Sequence, residues 1–160
     1  MAKFIFKMEN ILNIKYKLED QAKIRYGNAL VALQREEEIL EGLKEQKENY
    51  QLSLTQMVNL QEGSLSLTAI RRMEDAVENM KYKISLQKVA VKKAESQVEV
   101  TRLLLDEAMK ERKTYEKLKE KAFEQFKKDL EDQEKKEIDE LVSFTFRPGS
   151  NEDKIQDLAI

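Results

Sequence analysis

Carboxylates are the most plentiful chemistry-bearing side chains in this sequence, and their densest run is "REEEILE" at 35–41. Closely spaced acids are the raw material of general acid–base pairs and of sites for hard metal ions. The other ingredients of such sites are missing. The chain has no His, which removes the commonest general base and metal ligand, and no Cys, which removes thiolate chemistry and disulfides. No G-x-x-x-x-G-K-[ST] phosphate loop occurs, so nucleotide hydrolysis by this chain alone is not expected. The acids alternate with Lys at helical spacing, and i,i+4 pairing on a solvated helix face accounts for them. No catalytic residue, metal ligand or cofactor is assigned.

Basic residues cluster in turn. "KYKISLQKVAVKK" at 81–93 holds five lysines and no acid. Residues 110–128 carry eight basic side chains against four acidic, and 129–140 reverse this with seven acidic against two basic. Such patches suit an acidic protein or an anionic surface, or are simply solvated. Aromatic residues of the kind that stack on single-stranded bases are not interleaved with them. The overall balance is 29 basic against 31 acidic residues. Nucleic acid is therefore not an expected partner.

The elements that must position these charges are helices. The chain is 38% charged and 41% hydrophobic, with four glycines and one proline in 160 residues, a usage typical of long helices or coiled coils. Steps of three and four from Met8 pass through Ile11, Leu18, Ala22, Ala29, Ala32, Ile39, Leu43, Tyr50 and Met57, so that eleven of sixteen positions up to Leu60 are apolar. The same stepping from Ile70 to Phe126 finds thirteen apolar positions in seventeen, with Ile70, Val77, Ile84, Val91, Val98 and Leu105 seven residues apart. Repeats of that length predict heptad packing.

Between the arms lies "LQEGSLSLTAIRRME" at 60–74, which holds Gly63, Ser64, Ser66 and Thr68. A fold-back here brings Ile39 opposite Val91, Leu18 opposite Arg112, Met8 opposite Ala122 and Phe4 opposite Phe126. Ser66 or Thr68 is the expected N-cap of the second arm. A single kinked helix paired with a second copy is the alternative. The expected fold is thus all-α, a long antiparallel two-helix coiled-coil hairpin over 1–146, with an arm at 4–60, a bend at 61–68 and an arm at 69–142. The first arm would be about 80 Å long. The second outruns it, so that Leu130, Ile138, Leu141, Val142 and Phe144 would protrude. Pro148 and Gly149 signal a turn, and 147–160 are expected to be a disordered tail. The apolar start is interrupted by Lys3, Lys7 and Glu9, so neither a signal peptide nor a membrane span is expected.

Three stretches together resemble one family. "FKMENILNIKYKLEDQAKIRYGNAL" near the start, "LTAIRRMEDAVENM" after the bend and "ERKTYEKLKEKAFEQFKKDLEDQEKKEIDEL" at 111–141 are similar to the FliJ family of bacterial flagellar type III export proteins. The resemblance covers about residues 3–146. It implies a cytoplasmic, non-enzymatic component at the inner face of the cell membrane, with a fold like the rotor stalk of rotary ATPases. It also implies insertion of the paired termini into the central hole of the hexameric export ATPase. Further implied contacts are the cytoplasmic domain of the membrane export gate and the export chaperones, with membrane association only through partners.

On that basis Phe4, Ile5, Phe6, Leu130, Ile138, Leu141 and Phe144 are the expected ATPase contacts. Ala76, Met80, Lys83 and Gln87 are the expected gate contacts, although the sequence departs there from the family's bulkier, more aromatic pattern. The equivalent stalk of a virulence-type secretion system and a homodimeric coiled-coil scaffold are the alternative readings.

Overall fold

The computed structural model describes residues 2–59 and 67–145. Two helices account for nearly all of them: α1, Glu9–Asn59, of 51 residues, and α2, Leu67–Thr145, of 79 residues. Neither contains proline, and Leu, Ala, Glu, Lys and Gln dominate both, so propensity and length favour uninterrupted helix. Residues 2–6 have no regular secondary structure, and 7–8 form a turn. At the entry to α1, Glu9 N–H donates to the Phe6 carbonyl at 3.2 Å and Leu12 N–H to the Met8 carbonyl at 2.9 Å. The bend assigned to 61–68 falls outside the described residues except for Leu67 and Thr68, which are already helical. Ser66 lies outside them too, as does the tail at 147–160. Thr68 stands within α2 and is not its N-cap.

The fold is the antiparallel two-helix hairpin. Chain contacts divide it into two compact units, Met1–Asn13 with Lys113–Ile160, and Ile14–Arg112. Within the second, Lys15 Nζ pairs with Glu111 Oε2 at 2.8 Å, Arg112 with Glu19, and Gln87 Nε2 donates to the Glu36 carbonyl at 2.9 Å. Within the first, Lys119 Nζ pairs with Glu9 Oε2 at 2.9 Å. Within the second unit the partner number falls from 111 and 112 at Lys15 and Glu19 to 87 at Glu36, which defines the antiparallel sense.

The seam of α2 lies where the heptad row predicts. All seventeen positions from Ile70 to Phe126 are buried or half-buried, with Val77, Met80, Ile84, Val91 and Thr101 covered most. Thr101 is tolerated because its hydroxyl donates back to its own helix, 2.9 Å from the carbonyls of Gln97 and Val98.

The seam of α1 differs from the expected one. Lys15, Ala22, Ala29, Glu36, Leu43, Tyr50 and Met57 are covered as predicted, but the row between them is displaced by one residue. Leu12, Glu19, Tyr26, Leu33, Leu40, Lys47 and Leu54 face α2, whereas Met8, Ile11, Leu18, Arg25, Ala32, Ile39 and Gln46 are exposed. Leu12, only 2% exposed, is the most buried side chain described, and Ile39 is 50% exposed. The displaced row supplies more apolar surface at two positions (Tyr26 and Leu33 in place of Arg25 and Ala32), while Leu40 matches Ile39 in size.

One polar pair sits inside this seam. Glu19 is 4% exposed, and its carboxylate contacts Arg112 on α2 and lies 3.5 Å from Lys23 Nζ. At Arg112 Nε the compensation is charge proximity to Glu19 rather than a well-aligned hydrogen bond. Leu18, expected opposite Arg112, is displaced by its neighbour because a guanidinium entering the seam requires a carboxylate.

Candidate functional site

Two paired helices offer surfaces more than enclosed cavities, and the described residues hold no group of three or more acids able to grip a metal ion. No helix among them is long and apolar enough to cross a membrane. The candidate site is therefore a set of uncovered side chains and the elements that present them.

At the N-terminal end, Phe4 is half-buried. Its ring meets Phe123 edge-on at 5.2 Å and 69°, and Phe126 at 5.5 Å and 52°. Edge-to-face contacts at this separation match the positive rim of one ring to the negative face of another. Lys127 Nζ lies 4.6 Å over the Phe123 ring. Phe4 thereby pins the non-helical start of the chain to α2, in agreement with the expected pairing of Phe4 with Phe126. Phe6 is half-buried, while Ile5 points outward, 78% exposed. An open apolar groove runs along Phe4, Ile5, Met8, Leu118, Ala122 and Phe126. Phe123, which meets the Phe4 ring, is a member of the aromatic cluster that sequence reasoning missed. Its signal was its place beside the seam residue Ala122, four residues before Lys127.

Leu130 is the last half-buried residue of α2, and every position from 131 to 145 is exposed. Ile138, Leu141, Val142 and Phe144 are therefore uncovered among the described residues, Phe144 at 80% exposure. Leu141 and Phe144, one turn apart, share a face with Glu137 and Glu140. The helix persists here without a packed side because its Glu, Lys and Gln residues have high propensity. It ends with the Thr145 hydroxyl donating to the Leu141 carbonyl. The seven side chains expected at the ATPase thus divide into Phe4, Phe6 and Leu130, which pack at least in part, and Ile5, Ile138, Leu141 and Phe144, which do not.

The expected gate contacts divide as well. Met80 is buried in the seam and Gln87 is half-buried there, bonded to Glu36. Ala76 and Lys83, seven residues apart on one side of the seam, are half-buried and exposed respectively. Only these two form a row that a partner can reach without opening the helices.

Along α2, Arg102 bonds Glu99 at 2.6 Å and Asp106 at 3.2 Å. The hydrogen bond from Arg102 holds the Glu99 carboxyl below the usual glutamate range, and Glu99 in turn raises Arg102. Both groups are open to solvent, so the cluster orders the surface without making a site.

Among curated proteins none matches this chain. A solved structure described as a YscO homolog from Chlamydia trachomatis superposes with a TM-score of 0.62 at 21% identity, covering 91% of this chain and 96% of that one. At that identity the likeness concerns the fold, and it is the same kind of fold. The family model for the flagellar FliJ protein matches residues 4–150, nearly the whole chain, and this protein belongs to the FliJ family.

Proposed function

We propose that this protein is the non-enzymatic stalk and adaptor of the bacterial flagellar protein export apparatus, binding the hexameric export ATPase through its paired termini. The uncovered end of α2 carries this reading. From 131 to 145 no described residue packs over the helix, yet it keeps Ile138, Leu141, Val142 and Phe144 on its surface. Large apolar side chains held outward on a rigid helix are costly in water unless another surface covers them. Ile5 and the groove beside Phe4 add a second apolar element, also presented outward.

The adaptor role extends to the cytoplasmic domain of the export gate, with Ala76 and Lys83 as its reachable contacts and Met80 and Gln87 supporting them from the seam. Escort of export chaperones belongs to the same role. The protein then works in the cytoplasm at the inner face of the membrane, attached through its partners.

The test is to add the purified chain to the purified flagellar export ATPase and measure oligomer distribution by sedimentation and turnover by phosphate release. A shift toward hexamer with faster turnover is expected. Unchanged distribution and rate would sink the proposal. The YscO-like fold favours one second reading, the corresponding stalk of a virulence-type secretion system. Pull-down from the protein's own lysate separates the two by which export ATPase is recovered.

A further inference from the structure

A second apolar row runs along α2, on the side turned away from α1. In the Ile14–Arg112 unit the seam of α2 passes through Ile84, Gln87, Val91, Ala94, Val98 and Thr101. Tyr82, Leu86, Val89, Val100 and Leu103 occupy the opposite face, each at least 50% exposed. A two-helix hairpin needs no apolar residue there, and heptad packing ordinarily fills those positions with charge. The five form two clusters. Tyr82, Leu86 and Val89 are spaced i, i+4, i+7, and Val100 and Leu103 are spaced i, i+3, the anchor spacing by which amphipathic helices lie against each other.

The charges around the two clusters differ. Lys83, Lys88, Lys92 and Lys93 border the first, and none of the four forms an ion pair among the described residues; Lys81 alone is paired, with Glu78 at 3.1 Å. Beside the second cluster, Glu99 and Asp106 are already bound by Arg102. One end of the row is therefore basic and uncompensated, and at the other a single guanidinium is shared by two carboxylates.

We propose that the outer face of α2 from 82 to 103 is a docking site for an amphipathic helix of a partner protein. The partner's apolar stripe covers the two clusters, and its acidic residues lie over Lys83, Lys88, Lys92 and Lys93. Complementarity sets the sign of the partner's charge and its direction, with the acidic end over the Tyr82 cluster. An anionic lipid surface fits less well, because Glu99 and Asp106 flank the Val100 cluster and would face the headgroups. A second copy of this face fits less well too. Paired parallel it sets lysine on lysine, and paired antiparallel it offers the lysines only carboxylates that Arg102 already holds. The site shares Lys83 with the surface assigned to the export gate, but its apolar clusters belong to neither assigned surface, and it stands whether or not that assignment holds.

The test uses the full chain and two designed helical peptides about 20 residues long, matching the length of the row at about 1.5 Å per residue. Both carry the same leucine stripe; one is flanked by Glu at the end facing the lysines, the other by Lys. Fluorescence anisotropy is expected to show the acidic peptide binding at least about tenfold more tightly than the basic one. Leu86→Glu with Val89→Glu should weaken it by about tenfold or more while circular dichroism is unchanged, and the milder Leu86→Gln serves if that variant unfolds. Lys92→Glu with Lys93→Glu should reverse the preference between peptides. Equal binding of the two peptides, no binding, or indifference to these variants overturns the proposal. Binding to phosphatidylserine-containing vesicles that is lost in Leu86→Glu would overturn it in favour of lipid. A dimer of the chain alone that dissociates in Leu86→Glu would overturn it in favour of self-association.

Discussion

Glu19 and Arg112 meet inside the helix seam, the carboxylate 6% and the guanidinium 18% exposed by side chain, more than ninety positions apart in the chain. A charge pair this deep adds little net stability over apolar residues of like size, but breaking it strands a charge in a poor solvent.

Removal of either partner alone is therefore expected to destabilise the hairpin by about 3 kcal/mol, and replacement of both by Leu to restore most of the loss. Urea unfolding of Glu19→Ala, Arg112→Ala and the double Leu variant checks this. Additive losses would show that the pair acts as two independent residues. The pair also selects alignment, since a slide of one turn leaves both charges buried without a partner. The double Leu variant should accordingly lose pairing specificity, read as new spin-label distances between the helices.

Asp at Leu141 or Phe144 is expected to leave helix content nearly unchanged, because both side chains are uncovered, while weakening engagement of the export ATPase. Asp at Val91, which is 9% exposed, should destabilise the hairpin by about 3 kcal/mol or more by burying an unpaired charge. Circular dichroism melts together with ATPase co-sedimentation separate the effects. Equal loss of helix in all three variants would mean that the end of α2 is packed.

Gly42 is exposed in mid-helix, and a Cβ built there meets nothing within 4 Å. Gly42→Ala should raise stability by about 1 kcal/mol, the propensity difference with no steric penalty. A denaturation midpoint that fails to rise would show that the glycine serves a surface contact.

Glu99 offers a pH test. Its folded carboxyl titrates below the usual value because Arg102 bonds its charged form. A lowered folded pKa adds stability above the unfolded value, about 4.3, and that increment disappears as pH falls through the folded pKa. NMR titration should find Glu99 below its ordinary value in the native chain and returned upward in Arg102→Gln. The exposed pair should weaken in 1 M salt, and a titration indifferent to both changes would contradict the assignment.

Much of this was legible from residue order. The heptad row of Ile70, Val77, Ile84, Val91, Val98 and Leu105 is unbroken, and the face it predicts is the one α2 turns toward its partner. The absence of His, Cys and phosphate-loop residues turned the functional question from catalysis toward surfaces. The helical end beyond Leu130 could be read from polar residues taking over the seam positions.

The rotation of α1 was decided only in three dimensions. Between Lys15 and Met57, both the row of Leu18, Ala32 and Ile39 and the row of Tyr26, Leu33 and Leu40 complete a heptad pattern, so periodicity alone allows two seams. The partner helix breaks the tie. Arg112 in the α2 seam needs Glu19 beside it rather than Leu18, and Tyr26 and Leu33 offer more apolar surface than the Arg25 and Ala32 they displace. A hydrophobic repeat specifies that a helix will bury a stripe, whereas which of two overlapping stripes is buried depends on what the facing helix brings to it.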